Sequence, residues 1–192
     1  MIKDKITQEL RIAFAESIKK TEDSNKEHGF FICLNKDGKL TPSHIRCKGE
    51  ECKIRVKRSQ KWCQGEIHGF FHTHPQKSIL EKKIGRKVSE EDKKNITIRD
   101  SRGTEITAQT PSYGDVLTIF ITKCEKYTNG TICTAGDLEP DKVGCWTAKK
   151  DSTNFTNCTH ARIDHFLNRK TDESPKRWII PLFDIEDLDL KQ

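Results

Sequence analysis

Apolar residues near the start of the chain recur at spacing four, at Ile6, Leu10, Phe14 and Ile18. That stripe predicts an amphipathic helix over residues 4–20. The run GFFICL (29–34) reads as a buried strand, KDGKL (36–40) as a turn into the next strand, and residues 42–63 as one or two more. The apolar segment EIHGFFHTHP (66–75) is a strand that stops at Pro75, which has no N–H for a ladder. The pattern then breaks. Residues 76–111 are highly charged and lack clear periodicity, which reads as an insertion carrying a hairpin at TIRDSRGTEIT. Regularity resumes at SYGDVLTIFITKCEK (112–126), which opens with helix-start signals. Two further strands are expected, one around 118–125 or 130–134 and one at 143–148, then a helix at 159–170 and an acidic tail frayed from 184. Helices around a strand-rich middle predict an α+β fold in one domain, a mixed sheet flanked by helices.

Composition narrows the picture. Apolar and charged residues each make up 33% of the 192 residues, so the core is modest and the surface well solvated. The net charge of +6 is a mild excess. Its densest basic stretch, Lys53 to Lys61, alternates basic and apolar residues and reads as a strand with one wet face, so no specific nucleic-acid role is expected. No apolar run reaches the 18 residues that mark a bilayer span, and the N-terminus lacks the apolar centre of a signal peptide. A cytoplasmic protein without a membrane role is the expectation. Eight cysteines and four N-x-[ST] triplets, at Asn95, Asn129, Asn154 and Asn157, argue for a secreted alternative.

No C-x2-C pair is present, so a structural zinc site is a poor match. Buried free thiols are the default for an intracellular chain, with disulfides second. Cys124 and Cys133 flank the turn signal Asn129-Gly130 and could face each other across two strands.

The chemistry concentrates at His72-Thr73-His74-Pro75. Residues i and i+2 of a strand share a face, with Cα atoms about 7 Å apart. Two imidazoles there can converge on one cation of the zinc type, on a strand anchored by the apolar IHGFF. A catalytic zinc takes a third protein ligand and keeps one position for water. Asp115 is the best candidate, at the head of an apolar helix, although Ser112 and Asp115 also suit a helix-capping pair with no metal. Ser89 and Asp92 have the same spacing but are followed by Lys93 and Lys94, and read as a solvated helix start. A general base is needed too. Glu66 lies about 20 Å from His72 along an extended strand, too far, whereas Glu27 stands just before the strand 29–34. His68, on the histidine face but about 13 Å from His72, reads as a core or supporting residue.

Glu27, His72-x-His74-Pro75 and Ser112-x2-Asp115, in this order, resemble the JAMM (JAB1/MPN+/Mov34) zinc metalloprotease pattern. EHGFFIC, GFFHTHP and PSYGDV match its local contexts. The likeness covers roughly residues 5–148. It implies that His72, His74 and Asp115 bind Zn2+, that Glu27 takes a proton from the zinc-bound water and passes it to the leaving amine, and that Ser112 stabilises the oxyanion. It also implies a curved sheet of the cytidine-deaminase-like type, and a protein or peptide substrate joined through peptide or isopeptide bonds, including those to ubiquitin-like proteins. A catalytically inactive MPN-type interaction module is the alternative. Two departures stand out. His74 and Ser112 are separated by 37 residues where the family usually has seven, so the stretch 76–106 is an insertion expected to cover or border the cleft. Glu27 precedes Gly29 by two residues where many members use three. Residues 151–192 are expected to form a C-terminal helical extension.

Overall fold

The computed structural model describes residues 2–49, 61–95, 98–99, 105–107, 109–149, 159–167, 178–188 and 190–191. Helix α1 (Gln8–Ser24) begins later than the apolar stripe suggests, because the Thr7 side chain accepts the Leu10 N–H and sets the N-cap there. Asn25, in the left-handed conformation at φ 53°, ends the helix and turns the chain into strand β1 (His28–Leu34). Strands β2 (Leu40–Pro42) and β3 (Cys47–Lys48) both pair with β1, on its side away from β4 (Glu66–His74). The basic stretch read as a strand lies, over residues 53–60, outside the described residues.

After Pro75 come helix α2 (Gln76–Ile84), helix α3 (Glu90–Asn95) and a two-stranded hairpin of β5 (Ile98–Arg99) and β6 (Glu105–Ile106). The hairpin and the solvated helix start at Ser89 are as the sequence predicts. Helix α2 is not: its first turn is held from far away, by Asp137 Oδ1 accepting the Lys77 N–H. Helix α4 (Tyr113–Cys124) excludes a strand at 118–125, and the next strands are β7 (Thr131–Gly136) and β8 (Gly144–Ala148). Helix α5 (His160–Leu167) follows. The C-terminal stretch also adds a strand, β9 (Ile179–Pro181), to the edge of the sheet. Nor is the acidic tail frayed. Leu188 is fully buried, and the Leu190 N–H donates to Asp141 O.

Among the described residues the main sheet has seven strands, ordered β2-β1-β4-β7-β8-β9 with β3 also on β1. Its pairs are antiparallel except β4–β7, which is parallel. The α+β reading of a mixed sheet flanked by helices therefore holds. Helix α1 packs Leu10, Phe14 and Ile18 on one face, where Phe71 touches Phe14 and Phe30 at ring-centroid distances of 4.6 and 5.1 Å. Helices α4 and α5 pack Val116, Phe120, Ile163 and Leu167 on the other. Truncating an aromatic residue such as Phe71 would cost on the order of 3–5 kcal/mol. The central strand β4 is thus clamped between two cores, which fixes whatever its C-terminal end carries.

The cysteines correct the thiol expectation. Cys33 pairs with Cys63, Cys133 with Cys145 across β7–β8, and Cys124 is also disulfide-bonded. Cys124 does not face Cys133, because Asn129-Gly130 joins a helix to a strand rather than two strands. Gly130 does turn there, at φ 75°.

Candidate metal centre

Burial alternates along β4. Ile67, Gly69, Phe71 and Thr73 are buried toward α1, while His68, Phe70 and His72 are half-buried on the opposite face and His74 is buried at its end. The period of two therefore carries the two histidines onto the α4 face. Strand β1 meets β4 with Gly29 opposite His72, and His28 opposite Thr73 follows by the same register. Glu27 immediately precedes β1, and its carbonyl accepts the Gly49 N–H at 2.6 Å. Gly29 is required opposite His72: a Cβ would come within 2.3 Å of Phe71 O and 3.1 Å of His72 Cβ.

The third residue comes from α4. Ser112 caps that helix: its Oγ accepts the Asp115 N–H at 3.3 Å, while Asp115 Oδ2 accepts the Ser112 N–H at 2.7 Å and its hydroxyl at 2.8 Å. This reciprocal box locks the Asp115 rotamer. The segment before it is fixed by the buried Gln109 carbonyl, which accepts Thr134 Oγ1 at 2.6 Å and Trp146 Nε1 at 3.0 Å. Tyr113 Oη donates to Asp164 Oδ1 on α5 at 2.6 Å and pins the helix start from the other side.

These supports bring His72, His74 and Asp115 together. His72 Nε2 lies 3.1 Å from Asp115 Oδ1, His74 Nε2 lies 3.3 Å from Asp115 Oδ2, and the two Nε2 atoms are 3.0 Å apart. The three side chains are only 10–15% exposed. Donors placed tetrahedrally about 2.1 Å from a zinc ion would stand about 3.4 Å apart. The observed separations fall just inside that spacing, and two imidazoles with one carboxylate form a donor set such ions accept. This group can hold a metal ion. The Nδ1 atoms of both histidines are buried and find no hydrogen-bond partner among the described residues, so Nε2 is the nitrogen aimed at the centre.

Electrostatics within the group are strongly coupled. Burial opposes a charged His72, but the Asp115 carboxylate against it outweighs that penalty and raises its pKa above the ordinary 6.5. The Glu27 carboxylate adds weakly to the same field. Burial likewise opposes the Asp115 carboxylate, yet the two imidazoles hold its pKa well below the ordinary range. Glu27 itself is exposed.

No family model, no curated protein and no solved structure matches the chain. The case for the centre therefore rests on its own residues.

The insertion leaves the sheet right after His74 and rejoins just before Ser112. Its ends are tied by Gln76 Nε2 donating to Thr107 O at 3.2 Å. Asp137, whose backbone N–H reaches His74 O, keeps α2 in place, and burial raises the pKa of its carboxyl. His68, expected to be a core or supporting residue, contacts Asn129, its Nδ1 lying 3.0 Å from that side-chain nitrogen, while its buried Nε2 has no hydrogen-bond partner among the described residues. It sits where the β1–β4 register shifts. Sequence reasoning missed Asp137, Tyr113, Gln109 and Thr73. Only Thr73 carries a local signal, its place between two candidate ligands.

Proposed function

We propose that this chain is a zinc-dependent hydrolase of peptide or isopeptide bonds, of JAMM type on a cytidine-deaminase-like sheet. The observation that carries the reading is the convergence of His72, His74 and Asp115 to within 3.0–3.3 Å, from a strand and a helix that the insertion separates in sequence. Zinc, when bound, supplies a Lewis acid that brings the pKa of water down to about 7 and polarises a carbonyl.

The chain's own residues would do the rest. The imidazoles bind through Nε2 and keep their protons on Nδ1. Asp115 contributes negative charge and is oriented by Ser112. Glu27, exposed just before β1, takes the proton of the attacking water on its carboxylate and delivers it to the departing amine nitrogen. Positioned proton transfer of this kind contributes roughly 10²–10⁴ in rate. The Ser112 hydroxyl donates to Asp115 Oδ2, so its first task is to hold that carboxylate. It serves a developing oxyanion only when that bond is released. The insertion, tied beside His74, borders the cleft and forms part of the surface that meets a protein substrate, ubiquitin-like proteins among them.

Among the described residues no helix is long and apolar enough to cross a membrane. Paired cysteines favour an oxidising compartment, or the cytoplasm of a heat-adapted cell, over an ordinary reducing cytoplasm.

The test is cleavage of a fusion in which a ubiquitin-like protein is joined through its C-terminus to a reporter, by the zinc-loaded chain. Glu27→Gln should lower the rate by about 100-fold or more with zinc still bound. Cleavage indifferent both to Glu27→Gln and to zinc removal would overturn the reading. Zinc binding without any cleavage would favour the inactive interaction module.

A further inference from the structure

The strand pairing that holds the centre has a feature its backbone does not explain. The β1–β4 ladder ends at Gly29 and His72. One residue further on, the Thr73 side chain makes the connection to His28. Its Oγ1 accepts the His28 N–H at 2.9 Å and donates to the His28 carbonyl at 3.1 Å. Thr73 is fully buried, and from α1 the Thr21 hydroxyl lies in hydrogen-bond contact with it. With the Thr73 proton on the His28 carbonyl, Thr21 is the donor between the two hydroxyls, and its Oγ1 also lies 3.0 Å from Ser17 O. One hydroxyl therefore fixes both polar groups of the residue that follows Glu27. The His28 ring is held too, with Nε2 2.9 Å from Ser24 Oγ. His72 and His74, by contrast, are held by the β4–β7 pairing, His72 with Thr134 and His74 with Gly136.

We propose that Thr73 is a positioning residue that sets Glu27 over the metal centre. The inference rests on the hydrolase reading, and on Glu27 as its base. Thr73 faces α1 while its two neighbours face α4, so it can act on the ligand face only through the backbone. It joins β4 to the chain just after Glu27 at the level where the ladder has stopped. The Glu27 carbonyl also accepts the Gly49 N–H at 2.6 Å, a tether on the β3 side, so losing the Thr73 hydroxyl should loosen Glu27 relative to β4 and leave the histidines in place. A carboxylate that is free to wander loses most of the advantage of a fixed base.

The experiment compares Thr73→Val, Thr73→Ser and Thr73→Ala with wild type in the full, disulfide-intact chain. Four quantities are read: zinc affinity by chelator competition, amide hydrogen exchange at His28, and kcat and KM on the ubiquitin-like fusion. In Thr73→Val, zinc affinity should stay within about threefold of wild type and His28 should lose its protection. Its kcat should fall at least tenfold with little change in KM, and Thr73→Ser should restore kcat to within about threefold. If the valine variant does not fold, Thr73→Ala carries the same comparison. Adding Glu27→Gln to a folded hydroxyl-less variant should lower kcat far less than it does in wild type. The inference is overturned if Thr73→Val keeps wild-type kcat or His28 protection, or if its zinc affinity drops as far as that of His72→Ala. A wild-type chain that binds no zinc overturns the hydrolase reading and this inference together, whereas an active wild type with an unaffected valine variant overturns this inference alone.

Discussion

Two helices of this protein start in the same way and end up with different work. Ser89 and Asp92 open α3, and Ser112 and Asp115 open α4. In each box the carboxylate Oδ2 accepts the serine N–H, at 2.8 and 2.7 Å, and the serine hydroxyl, at 2.8 Å in both. The helix N–H returns to the serine at 3.2 and 3.3 Å. The remaining carboxylate capacity is spent differently. Asp92 takes a two-pronged pair from the exposed Arg86, at 2.6 and 2.8 Å, and that pair and the cap hold its pKa far below the ordinary range. Asp115 meets two buried imidazoles. Helix α3 has no buried residue, whereas α4 buries six. The local pattern makes the cap in both places, and only the sheet in front of α4 turns the cap into a candidate ligand.

The sharpest way to break the comparison is to remove each carboxylate. Asp115→Ala should lower zinc affinity by about 100-fold or more, as loss of one ligand of three does, while Asp92→Ala should leave it unchanged within error. Isothermal titration of the metal-free chain checks both. Equal losses would mean that α4 holds no ligand.

Proton linkage should separate the two regions next. In the metal-free chain His72 has a raised pKa, so its ion pair with Asp115 stabilises the fold fully below the ordinary value of 6.5 and less as pH rises through the raised value. Asp115 has a lowered pKa, so its contribution is present above the ordinary 3.8 and is lost as pH falls through the lowered value. Thermal melts of the metal-free chain should therefore show stability falling from just above pH 6.5 upward, and Asp115→Asn should flatten that fall. Bound zinc should reverse the trend, since protons compete with the metal for Nε2. A fall of the same size in Asp115→Asn would assign the effect elsewhere. Asp92→Asn should leave this window unaltered.

The smallest effect expected is on the caps. Ser112→Ala should cost about 1 kcal/mol of stability, because α4 is part of the core. Ser89→Ala should cost less than that globally, because α3 can fray without opening a core. Denaturant midpoints at constant slope measure both. A larger loss at Ser89 would show that the insertion, not α4, carries the stability.

The same contrast explains what could be read from sequence. β4 and α4 were legible because each announces itself locally: an apolar run stopped by Pro75, and a serine–acid box before an apolar helix. That these two elements meet was legible only through a pattern spread over the chain, from Glu27 to Asp115. Helix α2 was illegible because its N-terminal acceptor, Asp137, lies 60 residues away. Strand β9 was hidden in a short segment whose partner is β8. The Cys133–Cys145 pair was missed because Asn129-Gly130 signals a turn but not what the turn connects. Thr73 could not be read as a clamp, since its partners His28 and Thr21 come from other elements.

The most direct measurement is zinc-edge X-ray absorption on the chain loaded with one equivalent of zinc. Two imidazole nitrogens and light oxygen donors at about 2.0–2.2 Å, lost in Asp115→Ala and kept in Asp92→Ala, are what the account predicts. A sulfur shell near about 2.3 Å, or a spectrum unchanged by Asp115→Ala, would contradict it.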